Sequence, residues 1–178
     1  MHGRALAARF EALDVNADGY LDEADYTALA TRLVVASGFA VGNGVDSKVR
    51  DRYLALWETL RLAMDSDGDR RVSRAEFIAA VAAGTAGDGA DFDRAVAAVA
   101  SAVVDLADFD DDDRLDEAEF QKLFAALGVA DIDSVQAFLD LDRDGDGYLS
   151  RKELFLALRE FYSNPDPRAP GSSTLGRI

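Results

Sequence analysis

One acidic pattern occurs four times in this 178-residue chain, each time between two segments whose apolar residues have helical spacing. Each copy is a twelve-residue window that opens with aspartate and places oxygen-bearing side chains at its first, third and fifth positions. The windows hold 21 of the 34 acidic residues, so the carboxylates are concentrated rather than spread over a solvated surface. We call the windows loops 1 to 4, and they span residues 14–25, 65–76, 108–119 and 142–153.

The windows have the chemistry of a calcium site. Calcium takes about six to eight oxygen ligands, supplied in such a loop by positions 1, 3 and 5, the backbone carbonyl of 7, a water held by 9 and a two-oxygen carboxylate at 12. Position 6 turns sharply, which favours glycine, and an apolar position 8 pairs with a neighbouring loop. The predicted ligands are Asp14, Asn16, Asp18, Tyr20 and Asp25; Asp65, Asp67, Asp69, Arg71 and Glu76; Asp108, Asp110, Asp112, Arg114 and Glu119; and Asp142, Asp144, Asp146, Tyr148 and Glu153.

Loops 3 and 4 fit this template best. Loop 4 has Gly147 at the turn and Leu149 at position 8. Loop 3 has Asp113 at the turn and a net charge of −7, which predicts strong attraction of calcium and self-repulsion in the metal-free loop. A plain acidic run is the alternative for loop 3, but it does not explain Leu115 and Glu119 at the required offsets.

Loops 1 and 2 each depart from the template at one position. Loop 1 closes with Asp25, one methylene shorter than glutamate, so either one oxygen reaches the ion or the following helix shifts inward. Weaker calcium binding or greater tolerance of magnesium, which prefers six ligands, is expected there. In loop 2 Arg70 occupies the turn, at a backbone cost of about 1 kcal/mol, and the net charge is −1. A loop 2 that keeps its shape without metal is the alternative, so the sequence predicts three to four Ca²⁺ ions, with Mg²⁺ as a competitor.

The segments around the loops predict an all-α fold. Apolar residues recur at threes and fours before loop 2, which places Trp57 in the core, and 92–107, 116–127, 132–141 and 151–162 are similar. We expect an N-terminal pair of helix–loop–helix units over 1–84, a C-terminal pair over 85–163 and an extended tail over 164–178, where all three prolines lie. The sequence predicts an extended connection between the first two units that includes 38–44, a linker between the halves at 84–89, and helices that end near Ser163.

Composition argues against several other functions. A net charge of −15 disfavours nucleic acid and anionic membrane as partners, and the absence of cysteine removes disulfides and thiolate sites. There is no signal-peptide core and no apolar run near the roughly 18 residues of a membrane span, so a soluble, cytoplasmic protein is expected. The single histidine, His2, has no evident catalytic partner, and the carboxylate pairs all belong to loops. The chain is therefore not expected to be an enzyme.

These motifs resemble the EF-hand superfamily, and within it calerythrin and the sarcoplasmic calcium-binding proteins, above all the four-hand proteins of actinobacteria. The resemblance covers residues 4 to about 162 and rests on the entry segment 9–14, the Asp25 closer, the long connection before loop 2 and the segment 160–162. It implies two EF-hand pairs packed into one compact globule, with short β-bridges between paired loops, and a mainly buffering role. Relatives often have a degenerate second loop, whereas Asp65, Asp67, Asp69 and Glu76 are intact here.

A protein that binds calcium through such loops can act as a buffer or as a sensor. A buffer binds the ion without exposing new surface, whereas a sensor opens a groove for a partner helix, and such a groove is methionine-rich in calmodulin. Met1 and Met64 are the only methionines, which favours the buffer. We expect a monomer, and the sequence identifies no protein target. A third hypothesis is that calcium organises the fold itself. Residues that could line a sensor groove are Phe124, Phe138, Leu154, Phe155 and Leu158.

Overall fold

A computed structural model describes residues 2–38, 45–86, 90–127, 131–163 and Gly171. Over these residues the chain forms eight α-helices and four short β-strands, which confirms the predicted all-α fold with small β-bridges. The helices are α1 (His2–Leu13), α2 (Glu23–Ala36), α3 (Val45–Met64), α4 (Arg74–Ala86), α5 (Ala90–Ala107), α6 (Glu117–Ala126), α7 (Asp131–Leu141) and α8 (Arg151–Ser163). The strands are β1 (Tyr20–Leu21), β2 (Val72–Ser73), β3 (Arg114–Asp116) and β4 (Tyr148–Ser150).

The strands join the loops in pairs. β1 lies antiparallel to β2 with Leu21 opposite Val72, and β3 lies antiparallel to β4 with Leu115 opposite Leu149. These four residues occupy position 8 of their loops, and each is at most 3% exposed. The apolar position 8 therefore pairs loop 1 with loop 2 and loop 3 with loop 4, as the sequence predicts.

Each loop ends inside the first turn of the helix that follows it. Asp22 caps α2 by accepting from the Ala24 N–H, while the Asp25 carboxylate accepts from the Asp22 N–H. Asp116 and Glu119 form the same reciprocal capping box at α6. Capping satisfies backbone donors that have no partner within the helix. Positions 9 and 12 thus start a helix with the same side chains that complete the loop.

The two halves share one hydrophobic core. Helix α3 packs against α5 and α2 packs against α6, so helices of the first half cover helices of the second. Trp57 is 4% exposed and its ring lies 5.2 Å from that of Tyr26, which confirms its place in the core. The two pairs of helix–loop–helix units therefore pack together into one compact arrangement.

The element boundaries agree closely with those read from the sequence. Helix α5 begins two residues before its predicted start, α7 begins one residue before it, and α8 begins at it. Helix α8 ends at Ser163. The predicted extended connection falls largely on 39–44, which lie outside the described residues. Helix α4 continues to Ala86, two residues beyond the predicted domain boundary, and 87–89 of the predicted linker are outside the described residues.

Of the predicted tail, the structure describes Gly171 alone. This residue is buried, and its N–H donates to a carboxylate oxygen of Glu160 on α8 at 3.2 Å. An added Cβ would lie 2.1 Å from the Ala157 carbonyl oxygen, so only glycine fits there. None of the described helices combines the length and apolarity needed to cross a membrane.

Candidate metal centres

Three loops bring carboxylates from their two ends together. In loops 2, 3 and 4 the side chains of positions 1, 3 and 12 place ligand atoms within 4.8 Å of one another. These oxygen-only sets have the donors that calcium prefers. Loop 1 has Asn16 at position 3, so an amide oxygen replaces one carboxylate. The grouped residues are Asp65, Asp67 and Glu76; Asp108, Asp110 and Glu119; and Asp142, Asp144 and Glu153.

The aspartate at position 1 is oriented in the same way in all four loops. Its carboxylate accepts from the backbone N–H of position 6, as in the Gly19 N–H to Asp14 bond of 2.9 Å and the Gly147 N–H to Asp142 bond of 3.0 Å. The corresponding bonds from Arg70 and Asp113 measure 3.1 and 3.0 Å. The loop backbone therefore wraps around this side chain, and its N–H groups fix the direction of the carboxylate.

The carboxylate at position 12 bridges the two ends of its loop. In loop 4, one oxygen of Glu153 accepts from the Arg143 N–H at 3.0 Å and the other from the Ser150 N–H at 2.9 Å. Asp25 makes the equivalent bonds in loop 1, from the Val15 N–H at 2.9 Å and the Asp22 N–H at 3.0 Å. The shorter side chain thus reaches the same backbone groups as the glutamates, and it is only 1% exposed.

Burial and hydrogen bonding set the pKa of the position 12 carboxylate, and the residue at position 9 contributes differently in loops 1 and 3 than in loops 2 and 4. Burial raises the pKa of Asp25 and of Glu119, and the neighbouring charges of Asp22 and Asp116 act in the same direction. In loop 2, hydrogen bonds from Ser73 and Ser66 lower the pKa of Glu76 to about 2.

In loop 4, burial acts to raise the pKa of Glu153, but hydrogen bonds from Ser150 and from the backbone of Arg143 and Asp144 together outweigh it, and the pKa is lowered. The serine hydroxyl at position 9 therefore favours the ionised closing carboxylate, whereas the charge of an aspartate at position 9 adds a smaller contribution to the effect of burial.

Positive φ angles occur at two positions of every loop. Position 6 holds Gly19, Arg70, Asp113 and Gly147, all with φ between 67° and 89°. Position 4 is also left-handed, a requirement that the sequence analysis missed, and it holds Ala17 at 58° and Asp111 at 58° in loops 1 and 3. Loops 2 and 4 have glycine there, at 78° and 73°. The recurrence of glycine at this offset in two loops was the available signal.

Basic side chains on α3 and α8 offset part of the negative charge of loop 3. Lys48 and Arg52, both on α3, lie 3.2 and 3.3 Å from the Asp111 carboxylate. The Arg151 Nε on α8 donates to Asp113 at 3.0 Å. These hydrogen bonds and charges lower the pKa of Asp111 and of Asp113. The self-repulsion expected for loop 3 is therefore compensated at its two turn positions, by residues 38 to 63 positions away in the chain.

The residues at position 7, predicted to bind through their carbonyls, also contact each other across each loop pair. The Arg71 guanidinium lies 4.2 Å from the centre of the Tyr20 ring, and that of Arg114 lies 3.6 Å from the Tyr148 ring. Such cation–π contacts contribute roughly 0.5–1 kcal/mol at exposed sites. The contacts add to the β-bridges that hold the loops of each pair side by side.

Comparisons with known proteins agree with this geometry. The EF hand family model matches residues 6–30 and 135–154, which contain loops 1 and 4. Calerythrin of Saccharopolyspora erythraea is 26% identical over 158 residues, covering 88% of this chain and 89% of the relative.

Three solved structures have a similar fold. A Streptomyces coelicolor calcium-binding protein, described in relation to prokaryotic calcium-mediated regulation, is 28% identical with a TM-score of 0.73, covering 93% of this chain and 100% of the other. The coelenterazine-binding protein of Renilla muelleri gives a TM-score of 0.82 at 21% identity, with 99% and 96% covered. An amphioxus sarcoplasmic calcium-binding protein gives 0.70 at 17% identity, with 99% and 97% covered. The last two similarities concern the fold alone.

Proposed function

Because the chain is a calcium-binding EF-hand protein similar to calerythrin, we propose that it acts as an intracellular calcium buffer with three to four occupied loops. The observation that carries this proposal is the shared geometry of the four loops. In each of them the carboxylates at positions 1 and 12 are already oriented by backbone N–H groups. An ionised carboxylate has about four acceptor sites, so these oxygens can bind an ion while they still accept from the backbone, and little rearrangement is needed.

The predicted ligands would hold calcium entirely through oxygen atoms. Side chains at positions 1, 3, 5 and 12 and the carbonyl at position 7 form each set, and a bound ion neutralises the carboxylates collected around it. Four ions would reduce the net charge of the chain from −15 to −7. Loop 1, with Asn16 and Asp25, has the set best suited to magnesium as a competitor.

Burial of the groove-forming residues favours a buffer. Of the five side chains that could line a sensor groove, Phe124, Phe138, Leu154 and Leu158 are 3–4% exposed and Phe155 is half-buried. The α2–α6 and α3–α5 contacts lie between the two halves. Exposing a groove would require separation of these helices, at the cost of returning apolar surface to water.

A calcium sensor is the second candidate. The Streptomyces coelicolor protein with 28% identity is described in relation to calcium-mediated regulation, and a regulatory role of that kind would require a protein target for this chain. A fluorescent hydrophobic dye separates the two candidates. The buffer predicts a small change in dye fluorescence on adding calcium, whereas a large increase with unchanged helix content would establish the sensor.

The number of ions is tested by isothermal titration with calcium, in the absence and in the presence of magnesium. We expect three to four ions, and Glu76→Gln lowers the count by one if loop 2 is occupied. Glu23→Gln is the matched control, because it removes an exposed carboxylate from a loop position that supplies no ligand. An unchanged count in Glu76→Gln would identify loop 2 as the empty loop, and a count below three would contradict the proposal.

The magnesium preference of loop 1 is tested with Asp25→Glu. The longer side chain offers two oxygens to the ion, which calcium accepts more readily than the six-coordinate magnesium. We expect magnesium to compete less well in this variant, by about tenfold, equivalent to about 1.4 kcal/mol. Equal competition in both proteins would show that the Asp25 closer does not set the preference.

A further inference from the structure

A cluster of polar side chains lies outside the calcium loops, around a cavity in the core. Arg9 on α1, Tyr26 on α2, Tyr53 on α3 and Tyr162 on α8 line this cavity, whose volume is about 70 Å³. Its remaining walls are apolar and come from both halves of the chain. They include Leu13, Leu56, Phe77, Val103, Leu106 and Phe124.

Three hydrogen-bonding atoms of this cluster have no partner among the described residues. They are the hydroxyl oxygens of Tyr26 and Tyr53 and the Nη1 atom of Arg9. The two tyrosines are 1% and 2% exposed, so water outside the protein does not reach them. A buried polar group without a partner costs about 1–3 kcal/mol, and native proteins rarely leave three of them in one place. The cluster therefore has the properties of a site that is completed by a bound molecule.

The charge of the cluster defines the missing partner. Arginine is always protonated and only donates hydrogen bonds. In a chain with 34 acidic residues, the structure gives Arg9 no ion pair with any described carboxylate. Burial raises the pKa of Tyr26 and of Tyr53, while the nearby Arg9 acts to lower it, and both hydroxyls remain protonated donors at neutral pH. One positive charge and two neutral donors thus face the same space.

We propose that this cavity binds a small organic monoanion, namely a carboxylate on a short aliphatic body. The carboxylate would accept from Arg9, Tyr26 and Tyr53, and the apolar walls would contact the carbon atoms. A guanidinium and a carboxylate match in charge and in planar geometry. The size is limited, because an apolar cavity of about 150 Å³ holds benzene, so a volume of about 70 Å³ suits a carboxylate with a body of only one or two carbons. The site is separate from the calcium loops and does not depend on the buffer proposal.

The single tryptophan provides a direct readout. The Trp57 ring lies 5.2 Å from the Tyr26 ring, so a ligand bound to the Tyr26 hydroxyl changes the surroundings of the fluorophore. The calcium-loaded full chain is titrated with acetate, propionate and butyrate at constant ionic strength, and Trp57 fluorescence is recorded. We expect a saturable change with at least one of them. Propionamide, a neutral molecule of the same shape as propionate, should bind at least tenfold more weakly.

Variants connect the signal to the cluster. Arg9→Met removes the charge with little change in volume and should weaken carboxylate binding at least tenfold. Tyr53→Phe removes one hydroxyl and should weaken it about three- to tenfold, and it tests the site independently if Arg9→Met folds poorly. Arg32→Met, at an exposed arginine of α2, should bind like the unmodified chain. An unchanged calcium count in each variant shows that the fold is retained.

Three results would contradict the proposed carboxylate site. Flat titrations with all three carboxylates would mean that the cavity holds water alone, and would overturn the proposal. Equal affinity for propionate and propionamide, or full binding by a folded Arg9→Met protein, would show that the cluster does not recognise a negative charge.

Discussion

Loops 1 and 3 differ from loops 2 and 4 in the same four respects. Loops 1 and 3 have net charges of −5 and −7, whereas loops 2 and 4 both have −1. Loops 1 and 3 place aspartate at position 9 and a non-glycine residue at the left-handed position 4, where loops 2 and 4 have serine and glycine. The closing carboxylate has a raised pKa in loops 1 and 3 and a lowered pKa in loops 2 and 4.

The β-bridges join one loop of each kind in both halves. In the proposed calcium binding, the strongly acidic loop would attract an ion through its charge, at the cost of repulsion and backbone strain in the metal-free loop. The weakly charged loop has little repulsion, a relaxed position 4 and a closing carboxylate that stays ionised. We infer that each half combines a loop whose binding depends mainly on its charge with a loop of low charge and relaxed position 4, and four sets of substitutions test this difference.

The largest effect is expected from breaking the bridge that couples the two kinds of loop. Leu149 is fully buried opposite Leu115, so Leu149→Ala should lower the free energy of unfolding by about 2–5 kcal/mol. Val72→Ala, in the shorter bridge of the first half, removes fewer atoms and should cost less. Chemical denaturation measures both values. A Leu149→Ala cost under about 1 kcal/mol would mean that the bridge is not a packed part of the core.

Substitutions at position 4 test whether the left-handed backbone is strained in loop 1 and relaxed in loop 4. Gly145→Ala forces alanine to a φ of 73°, and its Cβ meets no atom within 4 Å, so the cost is purely conformational, at about 1 kcal/mol. Ala17→Gly makes the reverse change in loop 1 and should stabilise the calcium-free protein by a similar or smaller amount. Thermal unfolding in chelator compares the two. Destabilisation by Ala17→Gly would contradict the strain assigned to loop 1.

Position 9 tests the difference in acidity. A proton competes with calcium for Glu119 as the pH falls through the raised pKa of that carboxyl, so loop 3 should release calcium at a higher pH than loop 4. Asp116→Ser removes a neighbouring negative charge and supplies a hydroxyl, while serine still caps α6.

We expect the calcium-release midpoint of loop 3 to move to lower pH by about half a unit in Asp116→Ser. Ser150→Asp in loop 4 should shift that loop in the opposite direction. Calcium titrations at pH 5 and pH 7 measure both shifts, and equal shifts of one sign in the two variants would refute the role of position 9.

Charge compensation of loop 3 should give the smallest effect. Arg151→Met leaves Asp113 without its cation, so calcium should bind loop 3 about two- to threefold more tightly at low salt, and the metal-free protein should melt at a lower temperature. Both changes should shrink at high ionic strength because salt screens exposed charges. Affinity that is insensitive to salt would show that Arg151 acts through packing instead.

Much of the site was predictable because its residues are close together in the chain. A loop whose ligands are two or three positions apart has few conformations that bring the oxygens together, and its position 8 determines the pairing. The same local reasoning found the strained turn at Arg70, which has a φ of 67°. The left-handed position 4 was also local, and it was missed because Ala17 and Asp111 hide the glycine seen at Gly68 and Gly145.

The sequence by itself determined where the four loops lie, which oxygens they offer and which helices flank them, since these follow from short-range spacing and helix periodicity. Only the tertiary structure decided that Lys48 and Arg52 compensate loop 3, and that Arg9, Tyr26, Tyr53 and Tyr162 meet around one cavity. Those contacts join helices of different hands. Their partners are selected by how the two halves pack, which the pattern of a single hand does not specify.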